Sequence, residues 1–122
     1  MTYLIVDDSK LARKMTIKNL KEIINEDSII IEATNGQEAI DLYKQNKPDI
    51  CFMDLTMPVL DGFEAAKAIT EFDKNSKIII VSADIQEQAM QKAKDNGALG
   101  FIKKPINLNN LKKMLESLNL TK

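Results

Sequence analysis

Short apolar runs alternate with amphipathic stretches along the whole chain. The runs Tyr3 to Val6, Ser28 to Ala33, Ile50 to Met53, Lys77 to Val81 and Leu99 to Ile102 are β-branched or otherwise apolar almost throughout. Runs of that length without polar alternation predict strands covered on both faces. The stretches between them repeat at helical spacing. Leu11, Met15, Leu20 and Ile24 would form one apolar face, Ala39 and Tyr43 a second, and Ala65, Ile69 and Phe72 a third. Ile85, Ala89 and Ala93 lie four apart on a fourth, and Leu108, Leu111, Leu115 and Leu118 make a fifth. Asn35, Asp61, Asp84 and Asn107 are the expected N-caps, and Asn35, Asp61 and Asp84 are each followed by a glutamate three residues on; Ser9 would be a cap if Asp7-Asp8 are ordinary loop acids. Asn96-Gly97 should close the fourth helix, because glycine enters the left-handed conformation cheaply.

Five strand–helix units predict an α/β fold: a mostly parallel, doubly wound sheet with right-handed crossovers and helices on both faces. In such sheets the functional crevice lies beyond the carboxyl ends of the strands. Those ends carry Asp7-Asp8 after the first strand, Asp54 after the third, Ser82 after the fourth and Lys104-Pro105 after the fifth. The second strand runs into Thr34-Asn35-Gly36, which reads as a turn and a cap.

Composition narrows the chemistry. The 122 residues fit one domain, 1–122, and are 44% hydrophobic and 29% charged, within the globular range. Seventeen basic against 18 acidic side chains leave a net charge of −1, so no strong field draws the chain to nucleic acid or an anionic membrane. With no histidine and one cysteine, the usual zinc ligand sets and Ser-His or Cys-His nucleophile pairs are excluded. No apolar run approaches the ~20 residues of a membrane span, and the N-terminus lacks a signal-peptide pattern. A cytoplasmic domain is the expectation.

Taken singly, each strand-end residue has an ordinary role: turn or cap for the acids and Ser82, a solvated surface charge for Lys104. Their joint placement at corresponding strand ends points elsewhere. Converging carboxylates repel one another, and a divalent cation offsets that repulsion. Magnesium suits an all-oxygen site, because it takes oxygen ligands at about 2.0–2.1 Å and keeps several waters. Asp54 is then a candidate nucleophile toward phosphorus, Lys104 a positive clamp and Ser82 a hydroxyl donor to a phosphoryl oxygen.

These motifs together, Asp7-Asp8, Asp54 with Met57-Pro58 and Asp61-Gly62, Ser82-Ala83 and Lys104-Pro105, resemble the receiver domain of two-component response regulators. Within that family the chain is most similar to the single-domain chemotaxis type, from Met1 to about Leu118. The resemblance implies a flavodoxin-like (βα)5 fold with strand order 2-1-3-4-5. It implies that Asp54 is the phosphoacceptor for a histidine kinase, with Mg2+ as cofactor. Asp8 would bind the metal directly, Asp7 mainly through water, and Thr56 through its backbone carbonyl. Ser82 and Phe101 would be the switch pair, Lys104 the phosphate-binding lysine, and the Lys104-Pro105 bond would be cis. Phe101 lacks the hydroxyl that many relatives carry as tyrosine, so a switch by ring packing is expected.

The resemblance further implies a signalling protein, not an enzyme, able to take phosphate from small donors and to dephosphorylate itself. Its output would be a change in the surface of the fourth helix, fifth strand and fifth helix. The sequence ends soon after the fifth helix, and Ala98-Leu99-Gly100 replaces the acids common in dimerising relatives. A stand-alone monomeric messenger that docks on a target protein is therefore expected, without direct contact to nucleic acid or membrane. Other readings are a module of a larger regulator or hybrid kinase, a magnesium-dependent aspartyl phosphatase, and an FMN carrier. The phosphatase would want an acid where Thr56 stands, and Asp7-Asp8 would repel the flavin phosphate.

Overall fold

The computed structural model describes residues 1–83 and 86–119. Five strands, β1 (Thr2–Val6), β2 (Ile29–Ala33), β3 (Ile50–Met53), β4 (Ile78–Ser82) and β5 (Ala98–Lys103), form one parallel sheet in the order β2-β1-β3-β4-β5. The helices between and after them are α1 (Lys10–Lys21), α2 (Gly36–Asn46), α3 (Gly62–Phe72), α4 (Glu87–Asp95) and α5 (Leu108–Ser117). Strand limits differ from the sequence reading by a residue at most ends. The expected doubly wound α/β topology is the one observed.

Side chains alternate across the sheet with the two-residue period of a strand. Leu4, Val6, Cys51, Met53, Ile78 and Ile80 enter the core shared with α2, α3 and α4. Tyr3, Ile5, Ile50, Phe52, Ile79 and Val81 enter the core shared with α1 and α5. This explains the unbroken apolar runs of β1, β3 and β4, whose two faces are both buried. Strand β2 departs from that expectation. It is an edge strand, and Ile29 at its start is 58% exposed. Cys51 lies in the first core, where burial pushes its thiol up to about 12 and leaves it inert.

The helix starts follow local chemistry. Ser9 accepts from Ala12 N–H, Asn35 from Glu38 N–H and Asp61 from Glu64 N–H. Asn107 and Asn110 form a reciprocal capping box at α5. Gly97 follows α4 with φ +107°, the conformation its glycine allows. The expected cap Asp84 and the apolar Ile85 lie outside the described residues; α4 opens at Glu87 after Gln86.

The first helix is oriented differently from its apolar spacing. Thr16 and Leu20 are its buried residues, whereas Leu11 is 73% and Met15 42% exposed. Both face a groove of about 420 Å³ shared with Val81, Ala83, Lys104, Pro105 and Ile106. The upper turns of α1 thus look across to the β5–α5 connection, and only the lower turns meet the core.

Candidate functional site at the carboxyl end of the sheet

Asp7 is the first residue beyond β1, and its backbone N–H donates to Ala33 O at 3.1 Å, extending the ladder by one step. Its side chain is buried and held from both ends. Ser9 N–H donates to Oδ1 at 2.9 Å, and Lys104 Nζ donates to Oδ2 at 2.7 Å. The Asp7 carbonyl accepts from Arg13 Nη1 at 2.8 Å. The Ser9 contact is an Asx turn, which leaves Asp8 at the tip. Asp8 is exposed, and its carboxylate makes no hydrogen bond or ion pair with the described residues.

Asp54 follows β3 in the same way, with its N–H on Val6 O at 2.9 Å and its side chain buried. Lys104 Nζ lies 3.3 Å from its Oδ1, so one ammonium bridges Asp7 and Asp54. Lys104 is placed by its own N–H, which donates to Ser82 O at 2.9 Å across the ends of β4 and β5. The Lys104-Pro105 peptide is cis.

The electrostatics follow from this crowding. Burial pushes the Asp54 carboxyl above its ordinary value, and the neighbouring Asp7 charge adds to the push. The Lys104 ammonium and the Leu55 backbone N–H pull the other way. For Lys104, burial works against the charged form. The hydrogen bonds and charges of Asp7 and Asp54 outweigh it and hold the ammonium above its ordinary value.

Three carboxylates, Asp7, Asp8 and Asp54, bring ligand oxygens within 4.8 Å of one another. Both Asp7 oxygens already have protein partners, so its carboxylate is the least free to reach a cation directly. Asp8 is the most free. An all-oxygen, doubly or triply acidic donor set with open solvent on one side fits a hard divalent ion such as magnesium.

The loop after Asp54 is pinned at several points. Gly62 N–H donates to Leu55 O at 2.8 Å, and Gly36 N–H donates to Leu60 O at 3.0 Å. A Cβ on Gly62 would collide with the Asp54 carbonyl, so only glycine allows α3 to start this close to Asp54. Leu60 N–H bonds back to Pro58 O at 2.8 Å around Val59, whose φ is +69°. Thr56 is exposed in this loop, two residues past Asp54.

The remaining expected residues sit in the surrounding frame. Ser82 is buried at the last position of β4, beside Lys103 in the sheet register. Phe101 lies mid-β5, half-buried against the α2–α3–α4 core, and lines a groove with Glu87, Met90, Gln91 and Lys94. The structure therefore joins Asp7, Asp8, Asp54 and Lys104 in direct proximity. It places Ser82 at the neighbouring strand end and Phe101 farther along β5. Sequence reasoning passed over Arg13. Its signal was available, since a helical side chain leans toward the helix N-terminus and a long one near the start of α1 reaches back to Asp7-Asp8.

The parallel order 2-1-3-4-5 and an acid cluster with a lysine at its carboxyl end define a class. A profile of the response regulator receiver domain matches residues 3–116, and the chain belongs to that family. Among curated relatives, the chemotaxis protein CheY of Thermotoga maritima is 46% identical over 104 residues, covering 84% of this chain and 83% of that protein. CheY of Halobacterium salinarum is 45% identical over 103 residues, covering 84% and 82%. A chain of the CheX–CheY–BeF3–Mg2+ complex from Borrelia burgdorferi superposes with a TM-score of 0.89 at 35% identity, covering 98% of this chain and 89% of that one. The chain is thus a CheY-like receiver domain of two-component signalling.

Proposed function

We propose that residues 1–122 form one receiver domain that takes a phosphoryl group on Asp54 from a histidine kinase and passes the signal to a partner protein. The observation that carries this reading is the Lys104 ammonium, which sits 2.7 Å from Asp7 and 3.3 Å from Asp54 beside an open Asp8 carboxylate. An Asp54 oxygen attacks phosphorus in line; the P–N bond of the phosphohistidine donor breaks, and its electron pair stays on the imidazole. Lys104 holds Asp54 as the carboxylate before attack and meets the transferred oxygens after it. Asp8 would hold Mg2+ directly, Asp7 through water, and Asp54 and the Thr56 carbonyl would complete the protein's share. The ion supplies charge neutralisation on the phosphoryl oxygens. Small acyl phosphates would serve as alternative donors, and water at the open face would reverse the modification.

The output follows from the neighbours. Ser82 would donate its hydroxyl to a phosphoryl oxygen, and Phe101 would repack with it. That shifts the population of the α4–β5–α5 surface, where a target protein docks. Ala93 is the single buried residue of α4, which leaves that helix the least anchored and the easiest to shift. Among the described residues no helix is long and apolar enough to cross a membrane.

Backbone NMR spectra with and without beryllofluoride and magnesium test the reading. Shifts at Asp54, Ser82, Phe101 and along α4 that require both additives are expected. Unchanged spectra, or shifts confined to surface lysines, would contradict it.

A further inference from the structure

Arg13 contacts none of the three carboxylates, yet its guanidinium is held beside them by two hydrogen bonds. Its side chain is only 12% exposed. Nη1 donates to the Asp7 carbonyl at 2.8 Å, and Nε donates to Glu32 Oε1 at 2.9 Å. The two contacts lie on different elements: Asp7 is just past β1, and Glu32 is on the edge strand β2.

The Asp7 carbonyl belongs to the planar peptide that leads into Asp8. Fixing that oxygen fixes the plane, and the plane sets the direction in which Asp8 leaves the chain. The Asp8 carboxylate adds no restraint of its own, because it is unpartnered among the described residues. The Asx turn from Ser9 N–H to Asp7 Oδ1 holds the chain on its other side. Glu32 in turn fixes the guanidinium, whose planar fork can serve both partners at once where a lysine could serve only one.

We propose that Arg13 is a positioning residue for the cation site, with Glu32 as its brace. Magnesium affinity is then set partly by a contact outside the pocket, running from Glu32 on the sheet edge through Arg13 and the Asp7-Asp8 peptide to the Asp8 carboxylate. This rests on the reading of Asp8 as a metal ligand. The competing account is a plain tie between α1 and β2, which would affect stability and leave metal binding alone.

Calorimetric titration with magnesium chloride, without any phosphoryl donor, separates the two. Supporting partners of metal ligands typically change affinity by roughly tenfold or more, so Arg13→Ala should weaken magnesium binding about tenfold. Arg13→Lys should fall between Arg13→Ala and the parent chain. Glu32→Ala should weaken binding less than Arg13→Ala, and adding it to Arg13→Ala should cost nothing further. The rise in thermal midpoint on adding magnesium should shrink in the same order. If Arg13→Ala does not fold, Glu32→Ala and Arg13→Lys carry the test, and affinities equal to the parent's in both overturn the proposal. Equal magnesium affinity in parent and Arg13→Ala overturns it as well and leaves the phosphoacceptor reading standing. A parent chain that binds no magnesium overturns both.

Discussion

Asp54 occupies a place that costs the folded chain stability. Burial and the Asp7 charge raise its carboxyl pKa, so the native state holds that proton more tightly than the unfolded chain. For a raised carboxylate, stability falls as pH rises from the unfolded value of about 3.9 through the folded value, and the full penalty persists above it. Asp54→Asn keeps the shape and removes the charge. In magnesium-free buffer the variant should melt higher than the parent at pH 7, and the gap should close as pH falls below about 4. Thermal melts at several pH values check this, and an equal or lower midpoint at pH 7 would contradict it. The same residue was legible in the sequence, because a strand followed by Asp in register with Asp7-Asp8 and Lys104 is visible in one dimension. The Arg13–Glu32 pair was not. Its partners are 19 residues apart and meet only because β1 and β2 pair with Ile5 opposite Glu32.

At the scale of elements, the loop between β3 and α3 holds the most strain among the described residues. Val59 is β-branched, 80% exposed and at φ +69°, where a Cβ crowds the backbone. Left-handed backbone costs a non-glycine residue roughly 1–2 kcal/mol, and asparagine tolerates it better. Val59→Asn should therefore raise unfolding stability by about 1 kcal/mol. Gly62→Ala should do the reverse. Its new methyl meets the Asp54 carbonyl, and relieving that overlap by moving the backbone costs about 1–3 kcal/mol and shifts Asp54. Denaturant melts of the two variants give both numbers. Caps at Asn35, Asp61 and Asn107 were readable beforehand, because capping is decided within four residues. The orientation of α1 was not. Leu11, Met15, Leu20 and Ile24 satisfy a helical period, but which turns meet the sheet depends on where β5 and α5 stand. A small polar residue, Thr16, fills the buried position instead.

For the whole molecule, β1, β3 and β4 supply two apolar faces, and the helices close over both. The sheet then gathers charge at one end only. Three acids and one lysine, between 46 and 97 residues apart in sequence where they meet across elements, share a few ångströms of space. Parallel topology does this by sending every strand's carboxyl end to the same edge. The fold class and the site were thus legible together, since the unbroken apolar runs imply the parallel sheet and the sheet implies the gathering. What the pattern leaves out is the fine aim of each side chain, such as the Lys104 ammonium resting nearer Asp7 than Asp54.

If this gathering makes Asp54 a phosphoacceptor, the modification adds mass at that residue. Intact-mass measurement after incubation with acetyl phosphate and magnesium tests it most directly. A gain of one phosphoryl group is expected in the parent chain, none in Asp54→Asn, and none in the parent when the metal is chelated. No gain in the parent under any donor or metal condition, or an undiminished gain in Asp54→Asn, would contradict it.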